Sequence, residues 1–524
     1  MQFNRLQRIG FLAATLITAS LLGGCGDSSS SDTGGTTVPA GPGAVGISQG
    51  GAQDFGLFRE ILEAGQIPGP ETLDDLGFFA EHKLDYPTPN CGQDLCMHGL
   101  LGVMGNMING ASCTLIQIGM NSPIDISNLM RPPLHLVLAV DTSGSMAGAP
   151  IDYVKAGLKQ MIPSLKPTDK VSLVTYSTTA KVVLDYIDAT QTAQLEQNFD
   201  GLKAIGSTNL YDGLFTAFQL ADKHLDPAYQ NRVLYLSDGV ATEGITNGDK
   251  LTSLAKAYST KGIGITTIGV GKDFDVEVMR DLSEVGAGNF YFLEDAAAVQ
   301  EVFSDEVNTF LVPVALDAKF DVVVGSAYSI RGVYGTNGWV PAEGGGEISI
   351  PSLFLAGRTS AMEPISTGRR GGGGAMMLEL VPNPDAVGVS DPFEVGRLLL
   401  EYKNPVNGMK MTQETTIQAP NKPDEPPVGG HFTNDTVEKG FVMLNIYAGF
   451  KMAINLTADA DPRTARRTLE ALRGSVDTWT QSNPDPDVVD DLHYIDLFIN
   501  NLKTVENTVP QYTPAEPSNP WPVD

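Results

Sequence analysis

Asp141, Ser143 and Ser145 occupy alternate positions in LHLVLAVDTSGSM, residues 134–146 of a 524-residue chain. One carboxylate and two hydroxyls on a short loop make a hard oxygen donor set. Such a set suits a small divalent cation, Mg2+ before Mn2+ or Ca2+, because a single committed carboxylate leaves room for bound water. The spacing also fits a helix N-cap, in which Asp and Ser oxygens accept from the first free N–H groups of a helix starting near Ala149. The donors therefore have to be judged with the elements around them.

The apolar run before Asp141 has the continuity of a strand buried on both faces. Further runs follow in VSLVTYS, VVL, RVLYLS, IGITTIGV and NFYFL, and amphipathic patterns alternate with them at 151–165, 210–224, 248–258, 275–285 and 296–310. This alternation predicts a doubly wound, mainly parallel sheet covered by helices on both faces, with any ligand site at the carboxyl ends of its strands. Asp141 lies at such an end. So do Gly206-Ser207-Thr208-Asn209, just before a helical pattern, and Ser237-Asp238-Gly239, just after RVLYL. Gly144 and Gly239 would permit close turns beside the site.

These three places in this order resemble the von Willebrand factor type A domain, whose metal-ion-dependent adhesion site combines a D-x-S-x-S loop, a threonine and an aspartate. The resemblance implies Asp141, Ser143 and Ser145 in the first loop, Thr208 in the second and Asp238 in the third. It further implies that the hydroxyls bind the ion directly or through water, and that an Asp or Glu of a protein partner completes the coordination. Five oxygen-bearing side chains at three strand ends favour a metal over a cap.

Around this domain, residues 132–312, the composition changes. Arg5 and Arg8 precede an apolar run over 9–22 that ends in Gly23-Gly24-Cys25, the layout of a secretory signal. LLGGC resembles the lipobox of bacterial lipoproteins, which implies lipidation of Cys25, although an ordinary signal peptide could hold a cysteine there. Gly26, with Asp27 only after it, favours the outer membrane or cell surface over the inner membrane. Residues 26–53, rich in Ser, Thr and Gly, read as a flexible tether. In an exported protein Cys91 and Cys96 could form a disulfide, and pairing of either with Cys113 stays open. The C-x4-C spacing lacks a matching second pair for zinc.

Residues 54–131 read as two short helices followed by a strand-like stretch ending near Met120. Residues 313–420 read as a β-sandwich-like domain, and the strand near Cys113 could join it, leaving the α/β domain as an insertion. Gly371 to Gly374 lack the G-K-[ST] of a phosphate cradle and read as a flexible hairpin loop. Residues 421–505 carry three helical stripes, including Val437, Phe441 and Leu444, Leu469, Leu472 and Val476, and Val488, Leu492 and Ile495. Glu438, Lys439 and Lys451 argue against a membrane span in the first, and residues 506–524 form a Pro-rich tail. This layout, with GGGGAMMLELVP and LLLEYKNP, is similar to bacterial lipoproteins labelled calcium-activated chloride channel homologues, although nothing here reads as a pore.

With 34 basic against 62 acidic residues and a net charge of −28, the chain lacks the basic footprint that nucleic-acid phosphates need. Neither G-x-S-x-G at Ser145 nor HExxH among the six histidines is present, which argues against an enzyme. The sequence thus predicts a lipid-anchored envelope protein that binds a partner through a divalent metal. One alternative is a structural or assembly factor whose metal only braces the fold, and a hydrolase is the more remote one.

Overall fold

The computed structural model describes residues 45–49, 55–124, 132–238, 240–271, 275–286, 288–293, 298–299, 302–303, 313–356, 358, 372–383, 393–422 and 427–508. The lipidation site Cys25, most of the tether, Gly239, much of 296–310 and the tail beyond Thr508 lie outside the described residues.

The chain opens with strand β1 (Val45–Gln49), helices α1 (Gly56–Glu63) and α2 (Asp75–Ala80), and strands β2 (Cys96–Gly105) and β3 (Ser112–Ser122). The α/β layer follows: β4 (Leu134–Asp141), α3 (Ala149–Met161), β5 (Lys170–Tyr176), β6 (Ala180–Asp188), α4 (Thr192–Asp200), α5 (Leu210–Lys223), β7 (Gln230–Ser237), α6 (Gly248–Ser259), β8 (Ile263–Val270), α7 (Val276–Val285) and β9 (Phe290–Leu293). Its strand order is β6-β5-β4-β7-β8-β9, parallel throughout except for the antiparallel edge strand β6.

Period-two alternation explains the double layer. Leu134, Leu136, Leu138 and Val140 of β4 pack with Val154 and Leu158 of α3 and with Leu195 and Phe199 of α4. Val137 and Ala139 point the other way, into a core shared with Leu214 and Phe218 of α5, Leu251 of α6 and Leu282 of α7. Each strand residue is thus buried on one face or the other, which is why the run reads as continuously apolar. Helix α4 has no counterpart among the patterns above: only Leu195 and Phe199, one turn apart, are buried in it, and the rest of TAQLEQNFD is polar apart from Ala193.

After this layer come β10 (Pro313–Val324), β11 (Tyr328–Tyr334), β12 (Trp339–Ala342), β13 (Gly345–Leu355), β14 (Met376–Pro382), β15 (Phe393–Lys403), β16 (Lys410–Ala419), β17 (His431–Phe432) and helices α8 (Asp435–Ala458), α9 (Pro462–Ser482) and α10 (Pro486–Thr508). The β strands outside the α/β layer make one eleven-stranded antiparallel sheet, with β3 between β14 and β1 on its main path. Strands from both sides of the α/β layer share this sheet, so the α/β layer is an insertion into it.

Three local expectations change. Val45–Gln49, expected within the flexible tether, is strand β1, with Ile47 opposite Leu355 and Val45 opposite Ser122. Five residues that include Gly46 and stand between Gly-rich flanks gave too short a pattern to read. Cys96–Gly105, unassigned from sequence, pairs with β3 along its whole length. Its three glycines weaken any β pattern, yet at Gly99 a Cβ would press on Ile417 at 3.0 Å. The glycines of the four-glycine run that lie within the described residues are packing positions rather than a flexible hairpin. Gly373 bridges to Lys83, and a Cβ on Gly372 would lie 2.6 Å from the Glu81 backbone.

Helix α8 is long and apolar enough to cross a membrane by length and composition alone. Its apolarity is explained by its burial in a core with Phe58 and Phe78 of the first two helices, Leu469 of α9 and Ile495 of α10. One end of this core is tied by charge. Lys439 Nζ lies 2.7 Å from Asp485 Oδ2 and 2.9 Å from Asp487 Oδ2, and also donates to the Lys83 carbonyl at 2.9 Å. Arg358 donates to the other Asp487 oxygen at 2.8 Å. Such buried charges are tolerated because each has an opposite partner.

Candidate metal centre

Strand β4 lies between β5 and β7, and its last residue, Asp141, is level with Tyr176 of β5, one step beyond the Val140–Leu236 pair. A central parallel strand is buried from both faces, so the carboxylate at its tip is wholly buried as well. Ser237 ends β7 and Asp238 follows it. Thr208 precedes α5, whose N-terminus is capped by Asn209 accepting from the Asp212 N–H at 3.1 Å.

Hydrogen bonds join these groups. Ser143 N–H donates to Asp141 Oδ1 at 2.8 Å, and Ser237 Oγ donates to Asp141 Oδ2 at 2.7 Å. Ser145 Oγ donates to Asp238 Oδ1 at 2.8 Å. The Ser143 and Ser145 hydroxyls are 3.0 Å apart. The Thr208 loop is fixed to the same rim through its backbone. Ile205 N–H donates to Thr142 O at 2.6 Å, Gly144 N–H to Gly206 O at 2.9 Å, and Thr242 N–H to Thr208 O at 2.9 Å. In return, Thr208 N–H donates to Thr242 Oγ1 at 3.0 Å.

Beneath the rim, Tyr176 and Tyr235 stack with centroids 5.1 Å apart. Their hydroxyls donate to the Leu236 and Leu210 carbonyls, both at 2.9 Å. The pair ties the ends of β5 and β7 to the start of α5. Gly213 is required where α5 crosses this floor, because a Cβ there would lie 2.4 Å from the Tyr176 ring. The three loops therefore stand on ordered supports, as a preorganised site needs.

The donor set fits a divalent ion. Burial holds the Asp141 carboxyl above its ordinary range, against the opposing effect of the Ser143 N–H and the Ser143 and Ser237 hydroxyls. All of those groups are neutral, so among the described residues the desolvated charge of Asp141 is opposed by hydrogen bonds rather than by a cation, a condition that a bound cation relieves. Asp238 and the hydroxyls supply further oxygens of the kind Mg2+ accepts. Among the described residues no group of three or more His, Cys, Asp or Glu side chains is placed to hold a metal, so an ion here would rely on hydroxyls and water for the rest of its shell.

Asp141, Ser143, Ser145 and Asp238 thus form one hydrogen-bonded chain, with Thr208 fixed on the adjoining loop. Two supports were not assigned from sequence, Ser237 and Thr242. Ser237 had a visible signal: it is a hydroxyl closing an otherwise apolar strand. Thr242 had none, because its contact with Thr208 spans 34 residues. Away from the site, Cys91 and Cys96 form a disulfide. Cys113 is free and buried, and burial together with nearby Glu379 pushes its thiol up to about 12.

Residues 135–305 match the von Willebrand factor type A domain. The uncharacterized protein YfbK of Escherichia coli (strain K12) is 30% identical over 199 residues, 38% of this chain and 35% of that protein. Inter-alpha-trypsin inhibitor heavy chain H2 of Homo sapiens is 23% identical over 251 residues, 46% of this chain and 26% of that protein. The chain therefore spans well under half the length of these relatives. Among solved structures, a von Willebrand factor type A protein from Catenulispora acidiphila aligns with 75% of this chain and 88% of its own, at 16% identity and a TM-score of 0.49.

Proposed function

We propose, from the premise that the chain contains a von Willebrand factor type A domain, that it binds a protein partner through a divalent ion held by Asp141, Ser143, Ser145, Thr208 and Asp238. The observation that carries this reading is the hydrogen-bonded chain from Ser143 through Ser145 to Asp238 beside the desolvated Asp141. When bound, the ion would supply a Lewis-acidic position for a carboxylate from outside. The chain's own residues do the rest. Ser143 and Ser237 orient Asp141, Thr242 holds the Thr208 loop, and the tyrosine pair keeps the three strand ends in register.

Mg2+ is the best match to so few carboxylates, with Mn2+ and Ca2+ as competitors. The partner supplies an Asp or Glu. The signal-like N-terminus supports an exported lipoprotein anchored through Cys25 at the outer membrane or cell surface. The similarity to chloride-channel-homologue lipoproteins extends this reading only in layout.

Two measurements test the proposal. Titration with Mg2+, Mn2+ and Ca2+ is expected to show lost affinity in Asp141→Ala and Thr208→Ala, and equal affinity would reject these ligands. Capture of a partner from envelope extracts is expected to fail in EDTA, and a metal-independent catch counts against the binding role.

A further inference from the structure

Large apolar side chains stand exposed on the rim of the metal centre. Ile205 is 73% exposed and Val240 is 50% exposed. Neither is on a loose loop end. The Ile205 backbone is hydrogen-bonded to Thr142, inside the D-x-S-x-S loop, and the next residue accepts from Gly144. Val240 sits between Asp238, which accepts from Ser145, and Thr242, which is bonded to Thr208. The two side chains thus lie beside residues whose hydrogen bonds join the oxygen cluster.

The electrostatics call for such a flank. Asp141 and Asp238 can at most balance a divalent ion, and the exposed Glu243, whose N–H donates to Thr208 O at 3.1 Å, adds an acidic residue to the rim. At longer range a net charge of −28 repels any acidic partner. A single carboxylate would then bind weakly unless neighbouring contacts add affinity without adding charge. Apolar burial does so, because it is insensitive to the sign of the field.

We infer that the partner segment presents its carboxylate between apolar side chains, which seat on Ile205 and Val240. This rests on the metal-dependent binding proposed above. Ile205 and Val240 set specificity for the flanking residues and take no part in holding the ion.

The test uses two acetylated, amidated seven-residue peptides, one with a glutamate between two leucines and one with the same glutamate between two serines. Binding is measured calorimetrically on the exported chain with saturating Mg2+. Wild type is expected to prefer the leucine peptide about tenfold. In the double variant Ile205→Ser, Val240→Ser the preference should fall to within about twofold, while its Mg2+ affinity is unchanged. Circular dichroism checks that this surface variant is folded. Equal binding of the two peptides by Mg2+-saturated wild type, absence of binding of both, or a preference that survives in the variant overturns this inference and leaves the metal site standing. Failure of wild type to bind Mg2+ removes the underlying reading as well.

Discussion

Replacing Asp141 by Asn separates the two tasks of this residue. The side chain is wholly buried and its hydrogen-bond partners are neutral. In the variant, the amide oxygen can accept from Ser143 N–H, and the amide nitrogen can donate to Ser237 Oγ after that hydroxyl rotates. The shape and both contacts are kept while the charge is removed. The charge-assisted share of two hydrogen bonds is lost, about 1 kcal/mol each. Against this stands the desolvation of a buried ion, several kcal/mol before compensation, on the order of 20 kcal/mol in the idealised limit. Because the Asp141 carboxyl is held above its ordinary range, the desolvation cost is the larger. Without metal, Asp141→Asn is therefore expected to be more stable than wild type, by on the order of 1 kcal/mol. With Mg2+ at about 100 times its Kd, wild type gains about 2.7 kcal/mol and the variant gains none. For a domain of this size that is roughly 5–10 °C in Tm. Calorimetric scans in EDTA and in Mg2+ should show the two proteins exchanging order. A variant that melts below wild type in EDTA, or that rises with Mg2+ as much as wild type does, refutes the reasoning.

His135, at the opposite end of β4, is wholly buried, and burial with nearby His224 lowers its pKa to about 4 despite Asn231 and Asp185. The unfolded chain therefore takes up a proton near 6.5 that the native state refuses until about 4. Stability is full above 6.5 and is lost as pH falls through this window, by about 3 kcal/mol at about 1.4 kcal/mol per pH unit. Denaturation curves of His135→Phe against wild type at pH 7.5 and pH 4 should differ by that amount, and parallel pH dependence contradicts it. Lys439→Met removes the ammonium that the buried Asp485 and Asp487 carboxylates share, while Arg358 stays on Asp487. It should cost about 3–5 kcal/mol in denaturant unfolding, and a loss below 1 kcal/mol would show the cluster to be dispensable. The Cys113 thiol, buried and pushed up to about 12, should stay unmodified by iodoacetamide at pH 8 in the folded protein and react on unfolding. Rapid labelling of folded protein speaks against its burial.

The sequence by itself determined the α/β layer and the polar residues at the tip of its central strand. A central parallel strand is buried on both faces, so it must be continuously apolar and must turn polar at its end. That makes both the strand and the residues at its tip local signals, and 134–146 carries them in thirteen consecutive positions. The stripes of α9 and α10 were legible because a helix repeats its buried face every turn, whereas α8 also buries Val442, Met443 and Ile446 outside its Val437, Phe441 and Leu444 stripe. Tertiary structure alone decided which distant pieces meet. Val45–Gln49 is a strand because Leu355 and Ser122 offer it edges to pair with. Lys439, read only as a charge that argues against a membrane span, is buried because Asp485 and Asp487 neutralise it from the start of another helix. Ser237 orients Asp141 only because β4 and β7 are neighbours in register. Pairing of this kind depends on contacts across tens to hundreds of residues, and a local repeat in composition cannot encode which segment will supply the other half.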